Sequence, residues 1–442
     1  MVFAIVFLSL VLLITCISFL KINAFLSFLV VSILTAVALG IPLTKIPITL
    51  EKGIASTMGG LTLIIVLGAM LGKIIAESGA AENIASVMVR LFGVKHLQWG
   101  MAFTGFVVGI PLFYGVGFVL LVPLIFSIVY KYKLSSVYIG LPMLAALSVT
   151  HGFIPPHPSP VALVVLFDAN MGLTLIYGLL IAIPAIIIGG PIFGKTLGKL
   201  KTGNSTIFYS QENNSRRNTY NHPGKSNSFI TALLPVFLLI LLTILPFVIH
   251  PSDTFILSFI NFLGTPSIVM LLSIVYATFS LGIYQKRTVK EVMVLYTEAV
   301  KDIAMILLII AGSGVFKEVM EESGTSLLLA QALQALPIHP LILAWIITAI
   351  IRGCVGSATV AALTAAGVLI PLLQSSGVDP NLMVLSIGAG SLMFSHVNDA
   401  GFWMFKEYFG LTVKDTLRSW SMMEAIVSIV GLIAVMLLSL FI

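Results

Sequence analysis

Charge is what this chain has least of. Only 9% of its 442 residues are Asp, Glu, Lys or Arg, against about 25% in soluble domains, while 59% are hydrophobic. That balance excludes a water-soluble globular protein and implies an all-α polytopic membrane protein. Cysteine is equally scarce. Cys16 and Cys354 both sit in apolar surroundings, too few for a disulfide framework or a Cys-based metal site. No ligand set for a metal or a cofactor stands out, and none is expected. The first apolar run, 2–20, has no basic start and no small-residue cleavage site, so it reads as a retained span and not a signal peptide. The net charge of +6 says little about nucleic acid, because Lys and Arg gather in short loops, as membrane topology demands.

Polar sequence is confined to one long segment, Lys195–Lys225, rich in Asn, Ser, Lys and Arg, which reads as a flexible linker. Its basic residues at 195, 199, 201, 216, 217 and 225 place it in the cytoplasm, so the sequons at Asn204 and Asn213 are read as chance matches. The expected organisation is a first transmembrane repeat over 1–194, a cytoplasmic linker over 195–227 and a second repeat over 228–442.

Apolar runs near the length of about 20 residues that a span requires fall at 2–20, 24–42, 57–76 and 171–192, then at 228–249, 265–284, 303–320 and 421–442. Four interrupted stretches lie among them. Region 97–130 is split by the Gly/Pro-rich segment 109–117, and region 340–374 by Arg352–Thr359. Two half-length arms around such a tip predict re-entrant hairpins, with two ordinary spans joined by a tight turn as the alternative. Region 136–167 is broken at His151–Pro160, where the prolines cannot continue a helix. Region 381–407 is broken around His396, Asn398 and Asp399. The halves resemble each other: Leu63–Gly79 aligns with Leu308–Gly324 at an offset of 245. An amphipathic stretch (81–96 in the first half), a hairpin, a broken span and a final span follow each. Five crossings per half predict inverted repeats, the construction of many secondary transporters. Both termini then lie outside, and nearly all Lys and Arg fall inside, leaving Lys45 and Lys52 outside with Lys317 as a third candidate.

An ionised side chain at mid-membrane costs about 3 kcal/mol on insertion scales, and freed backbone is tolerated there only where it lines a cavity or meets protein. The polar cluster at 396–399 therefore marks a transport site, with a structural hydrogen-bond cluster as the plainer alternative. Inversion brings the two tips and two breaks together. For substrate binding the candidates are Tyr114, His157, Ser159, Arg352, Ser357, Thr359 and Asn398; for proton coupling they are His151, His396 and Asp399. Arg352 either holds an anionic substrate or pairs with Asp399, and one mechanism joins the two if a substrate carboxylate displaces Asp399. Ser357 and Thr359 open a half-helix, which suits an anion or a polyol; small-residue packing is the alternative. Histidines titrate near neutral pH but equally serve as hydrogen-bond donors to a neighbouring helix. Asp399 reads as the one carboxylate set deep in an apolar span. Gly105 and Gly109 read as a packing seam.

His151-Gly-Phe-Ile-Pro-Pro-His-Pro-Ser-Pro160, Gly356-Ser-Ala-Thr-Val-Ala361 and Ser395-His-Val-Asn-Asp-Ala-Gly-Phe-Trp403 resemble the signatures of the gluconate permease family. Gly109-Ile-Pro-Leu-Phe, Val116-Gly-Phe-Val-Leu-Leu121 and Gly190-Pro-Ile-Phe-Gly194 are similar to it as well, and the likeness runs from about residue 40 to the C-terminus. The resemblance implies proton symport of gluconate or related sugar acids, with some members taking D-serine or other small hydroxy acids. It also implies the wider ion-transporter superfamily, whose dimeric, elevator-like carriers have inverted repeats and two re-entrant hairpins, in a bacterial inner membrane. Three positions depart from the family pattern: Gly115 stands where an acidic residue is usual, Val355 where Gln is frequent, and Ser159 where the motif has Gly. These departures bear on the substrate and on the choice between proton and sodium.

The sequence thus predicts a secondary transporter importing a small hydroxylated carboxylate, with a sodium-coupled or D-serine-type carrier as the alternative. An ion channel needs a continuous polar lining, and these spans show isolated clusters. An intramembrane enzyme built on His157 and Asp399 lacks a nucleophile or metal set.

Overall fold

The computed structural model describes residues 2–198, 200, 223–249, 254–325, 328, 337–396 and 399–442. Among them every regular element is helical. Seven helices are long and apolar enough to cross a membrane, or up to eight if a pair bent within 46–77 counts as one span. Large side chains such as Phe7, Phe237 and Phe255 are exposed on the outside, as lipid-facing residues must be when the solvent is a bilayer.

Two of the spans are longer than the sequence periodicity indicates. The expected spans 57–76 and 303–320 lie inside the helices Ile46–Glu77 and Val289–Glu322. Local chemistry extends them: Pro47 sits in the first turn of one, and Thr288 and Glu291 close a capping box at the start of the other. The extensions carry charge, so a hydropathy window misses them. The two helices run antiparallel along each other, tied by Lys52–Glu318 at 2.5 Å, Lys45–Glu322 at 3.4 Å and Lys73–Asp302 at 3.2 Å. They meet most closely at glycine, where a Cβ on Gly53 would stand 2.7 Å from the Gly314 carbonyl oxygen. A further short helix, Thr254–Gly264, precedes the span at Pro266–Ala277 and has no counterpart in the apolar runs read from sequence.

The first hairpin is Leu97–Gly109 and Tyr114–Tyr132; the second is Pro340–Val355 and Ala358–Ser376. The 13-residue arm Leu97–Gly109 is about 20 Å long, short of the roughly 30 Å hydrocarbon core. The second tip turns on Gly356, whose φ of 81° is left-handed, a conformation that a Cβ disfavours. Its next residue, Ser357, caps the following helix by accepting from the Val360 amide.

Each hairpin leads into a broken span. The first, Ser136–Phe153 and Pro158–Leu166, is interrupted at 154–157 around the cis Pro155–Pro156 bond. The second, Pro380–Ser391 and Ala400–Phe409, is interrupted at 392–399. The two cross at their breaks, where a Cβ on Gly388 would stand 2.5 Å from the Gly152 carbonyl oxygen. Gly105 and Gly109 form a seam inside the chain: their Cβ positions fall 2.2 Å from the Met143 carbonyl oxygen and 2.4 Å from the Thr150 hydroxyl. Interhelical side-chain bonds reinforce the contacts, with Ser428 donating to the Ala389 carbonyl at 2.6 Å and Ser386 to that of Leu341 at 2.6 Å.

Gly388→Ala forces backbone apart at the crossing. It is expected to cost about 1–3 kcal/mol, the usual range for overpacking, and to lower the melting temperature of the detergent-purified protein. Gly59→Ala, where a Cβ meets nothing within 4 Å, is the control and is expected to leave that temperature unchanged.

Most of the polar segment, the two sequons included, lies outside the described residues, and so does the second amphipathic stretch. Helix Lys225–Ile249 begins within the last residues expected for the linker.

Candidate functional site

The second tip, the second break and the start of the last span meet around one cavity of about 430 Å³, within the range of small-molecule sites. Arg352 reaches it from the end of helix Pro340–Val355. Its Nη2 lies 2.5 Å from Oδ2 of Asp399, the residue that caps helix Ala400–Phe409 by accepting from the Gly401 amide at 3.1 Å. Ser395 also donates to that Oδ2 and itself accepts from the Trp420 indole N–H at 2.8 Å. Ser421 fixes the break from the other side by donating to the Ser395 carbonyl. Asp399 is thus held by three donors on two oxygens.

Arg352 is not used up by that pair. Its side chain is 4% exposed, and among the described residues its Nε and Nη1 have no hydrogen-bond partner. The same holds for the Tyr114 hydroxyl and for Nδ1 of His151, both buried on the cavity wall. Buried donors left unpaired cost about 1–3 kcal/mol each, and more when charged. Ser357 and Thr359 stand at the mouth of the helix that begins beside Arg352, where free amides and a favourable dipole end accept negative charge. Cationic fork, hydroxyls and helix start together suit a carboxylate carrying a polyol chain.

The GntP family permease model matches residues 1–441. The chain belongs to that family. It is a multi-pass bacterial membrane permease and not an enzyme. The gluconate permease of Bacillus subtilis (strain 168) is 45% identical over 430 residues, covering 95% of each chain. The Gnt-II system L-idonate transporter of Escherichia coli (strain K12) is 42% identical over 422 residues, covering 94% of each. Among solved structures, the YdaH transporter of Alcanivorax borkumensis shares the fold with a TM-score of 0.64 at 19% identity, over 94% of this chain and 97% of that one. MtrF of Neisseria gonorrhoeae does so with a TM-score of 0.64 at 16% identity, over 93% of each.

Of the residues singled out in the sequence, the permease brings Tyr114, His151, Arg352, Ser357, Thr359 and Asp399 onto the cavity wall. Three others stand off it. His157 is 3% exposed and bonds the Gly109 carbonyl at 2.7 Å, joining the first break to the first hairpin; its ring lies 5.3 Å from that of His151. Ser159 is buried and does not line the cavity. His396 bonds the Gly353 carbonyl at 2.8 Å and so ties the second break to the second hairpin. Asn398 lies outside the described residues.

Asp399 is not the one deep carboxylate. Glu424 is 2% exposed, lines the same cavity and accepts from the Ser148 hydroxyl at 2.9 Å. In the sequence it opens the last apolar run and reads as an ordinary acid near a helix start. The π-helical turn Leu417–Ser421 carries helix directly into Met422–Leu438, which draws Glu424 inward. A signal was present: Ser421, Glu424 and Ser428 recur at i, i+3 and i+7 on an otherwise apolar helix, and all three are buried.

Proposed function

We propose that this permease imports gluconate or a closely related sugar acid in symport with protons. Arg352 carries the reading, as a buried guanidinium with two nitrogens unpartnered among the described residues, set on a cavity with hydroxyl groups. The substrate carboxylate binds the Arg352 guanidinium beside Asp399, on nitrogens that Asp399 leaves open, while Tyr114, Ser357 and Thr359 meet the hydroxyls. The names of the relatives, gluconate permease and L-idonate transporter, support a sugar acid over an amino acid. An ionisable group of the cavity carries the proton. In membrane vesicles, competition among gluconate, fructuronate, glycerate and D-serine is the test. Gluconate is expected to inhibit uptake most strongly; dominance of D-serine overturns the substrate, and accumulation driven by sodium alone overturns the coupling ion.

The same reading includes a homodimer in the inner membrane, checked by cross-linking in native membranes, and inverted repeats on either side of a cytoplasmic linker. The antiparallel course of Ile46–Glu77 and Val289–Glu322, the helices carrying the aligned segments, supports the inversion. Cysteines introduced at 204–214 are expected to react with an impermeant reagent only from the cytoplasmic side. Labelling of intact cells overturns the topology.

A further inference from the structure

We infer that Glu424, and not Asp399, is the group that takes up and releases the transported proton. The inference rests on the proton-symport reading above and adds the residue. Asp399 is committed: Arg352, Ser395 and the Gly401 amide all donate to it, and it caps a helix. Glu424 shares the cavity but is less constrained. Among the described residues it accepts one hydrogen bond, from a neutral hydroxyl, and no cation pairs with it. Glu318, the other carboxylate buried to a similar depth, is paired with Lys52 away from the cavity.

The groups facing Glu424 define the electrostatics. Ser136–Phe153 presents His151, Pro340–Val355 presents Arg352, the first hairpin presents Tyr114, and Asp399 stands before Ala400–Phe409. Pro380–Ser391 holds no ionisable residue, and Tyr177 of Met171–Ile187 lies off the cavity. With Glu424 ionised, two carboxylates share the single positive charge of Arg352. A substrate carboxylate then adds a second uncompensated negative charge in the cavity. Like charges about 6 Å apart repel enough, at an effective dielectric of about 20, to weaken binding on the order of 100-fold.

Protonation turns the Glu424 carboxylate into a neutral acid, and the substrate anion then meets only the Arg352–Asp399 pair. Proton and anion therefore favour each other's binding, and by linkage the preference is reciprocal. The proton enters from the aqueous phase on the side where the cavity opens and leaves to the opposite phase once the anion has gone. One proton and one anion move together, so the transported pair is electroneutral and the site returns to its starting charge.

Glu424→Gln fixes the side chain in its neutral form. In proteoliposomes with gluconate as the probe, the wild type is expected to accumulate substrate under an imposed pH gradient and to lose at least 10-fold in affinity between pH 6 and 8. Glu424→Gln is expected to lose that accumulation, to show a flat affinity over the same range and to retain measurable counterflow exchange. Accumulation by Glu424→Gln at the wild-type level, with a wild type that is proton-driven, overturns the assignment and leaves the symport reading standing. A wild type indifferent to the pH gradient overturns both. If Glu424→Gln does not fold, Ser148→Ala decides: removing the hydroxyl that bonds Glu424 is expected to move the midpoint of the uptake pH profile by about one unit. An unchanged profile overturns the inference.

Discussion

Arg352→Lys is expected to weaken apparent affinity for gluconate on the order of 10- to 100-fold although the charge is kept. A bidentate, charge-assisted contact contributes about 1.5–3 kcal/mol, and each 1.4 kcal/mol is a factor of ten. Lysine supplies a point charge on a flexible stem and cannot present the planar fork. The geometry sharpens this expectation, because Nη2 is already engaged by Asp399 at 2.5 Å while Nε and Nη1 stay without a partner among the described residues. A single ammonium cannot hold Asp399 and a substrate carboxylate in the same arrangement. Uptake kinetics of a well-folded variant in proteoliposomes measure the effect. Near-normal affinity removes Arg352 from the substrate site.

Asp399→Asn is expected to act chiefly on stability. The substitution keeps shape and hydrogen-bonding capacity but leaves Arg352, 4% exposed, as a buried cation without its counter-charge. Breaking a buried pair in this way costs about 3–5 kcal/mol. The helix cap at Ala400–Phe409 weakens as well, since an amide oxygen accepts from the Gly401 amide less strongly than a carboxylate. The detergent-purified variant is expected to melt well below the wild type. The double variant Arg352→Met/Asp399→Asn is expected to recover much of the loss while remaining inactive, because the anion-binding fork is gone. Thermal unfolding of the two variants measures the coupling between the residues. A different outcome points elsewhere: an Asp399→Asn protein that is stable, exchanges substrate and fails only to accumulate it would make Asp399 the proton carrier.

By itself the sequence determined the class, the order of elements and most of the cavity wall. Scarce charge and runs of about 20 apolar residues leave helices as the way to satisfy backbone in lipid, so the spans were legible wherever polarity stayed low. The breaks were legible because Pro155, Pro156, Pro158, Gly356 and the polar cluster at 396–399 interrupt runs that would otherwise continue. Arg352 and Asp399 stood out because a charge in such a run has to meet a partner or a ligand. The tertiary structure decided the rest. The charged ends of Ile46–Glu77 and Val289–Glu322 fall outside the apolar runs, and Pro47, the Thr288–Glu291 capping box and the ion pairs between the two helices hold them helical. His157 and His396 are as polar in sequence as His151, yet they turn to the Gly109 and Gly353 carbonyls while His151 faces the cavity. Glu424 lies at the start of an apolar run and was hidden for that reason. It enters the site only because the helix begins earlier and packs against Ser136–Phe153, where Ser148 receives it. Local pattern reports how a segment tolerates lipid; which side chains converge depends on crossings, such as that of Gly152 and Gly388, between residues far apart in the chain.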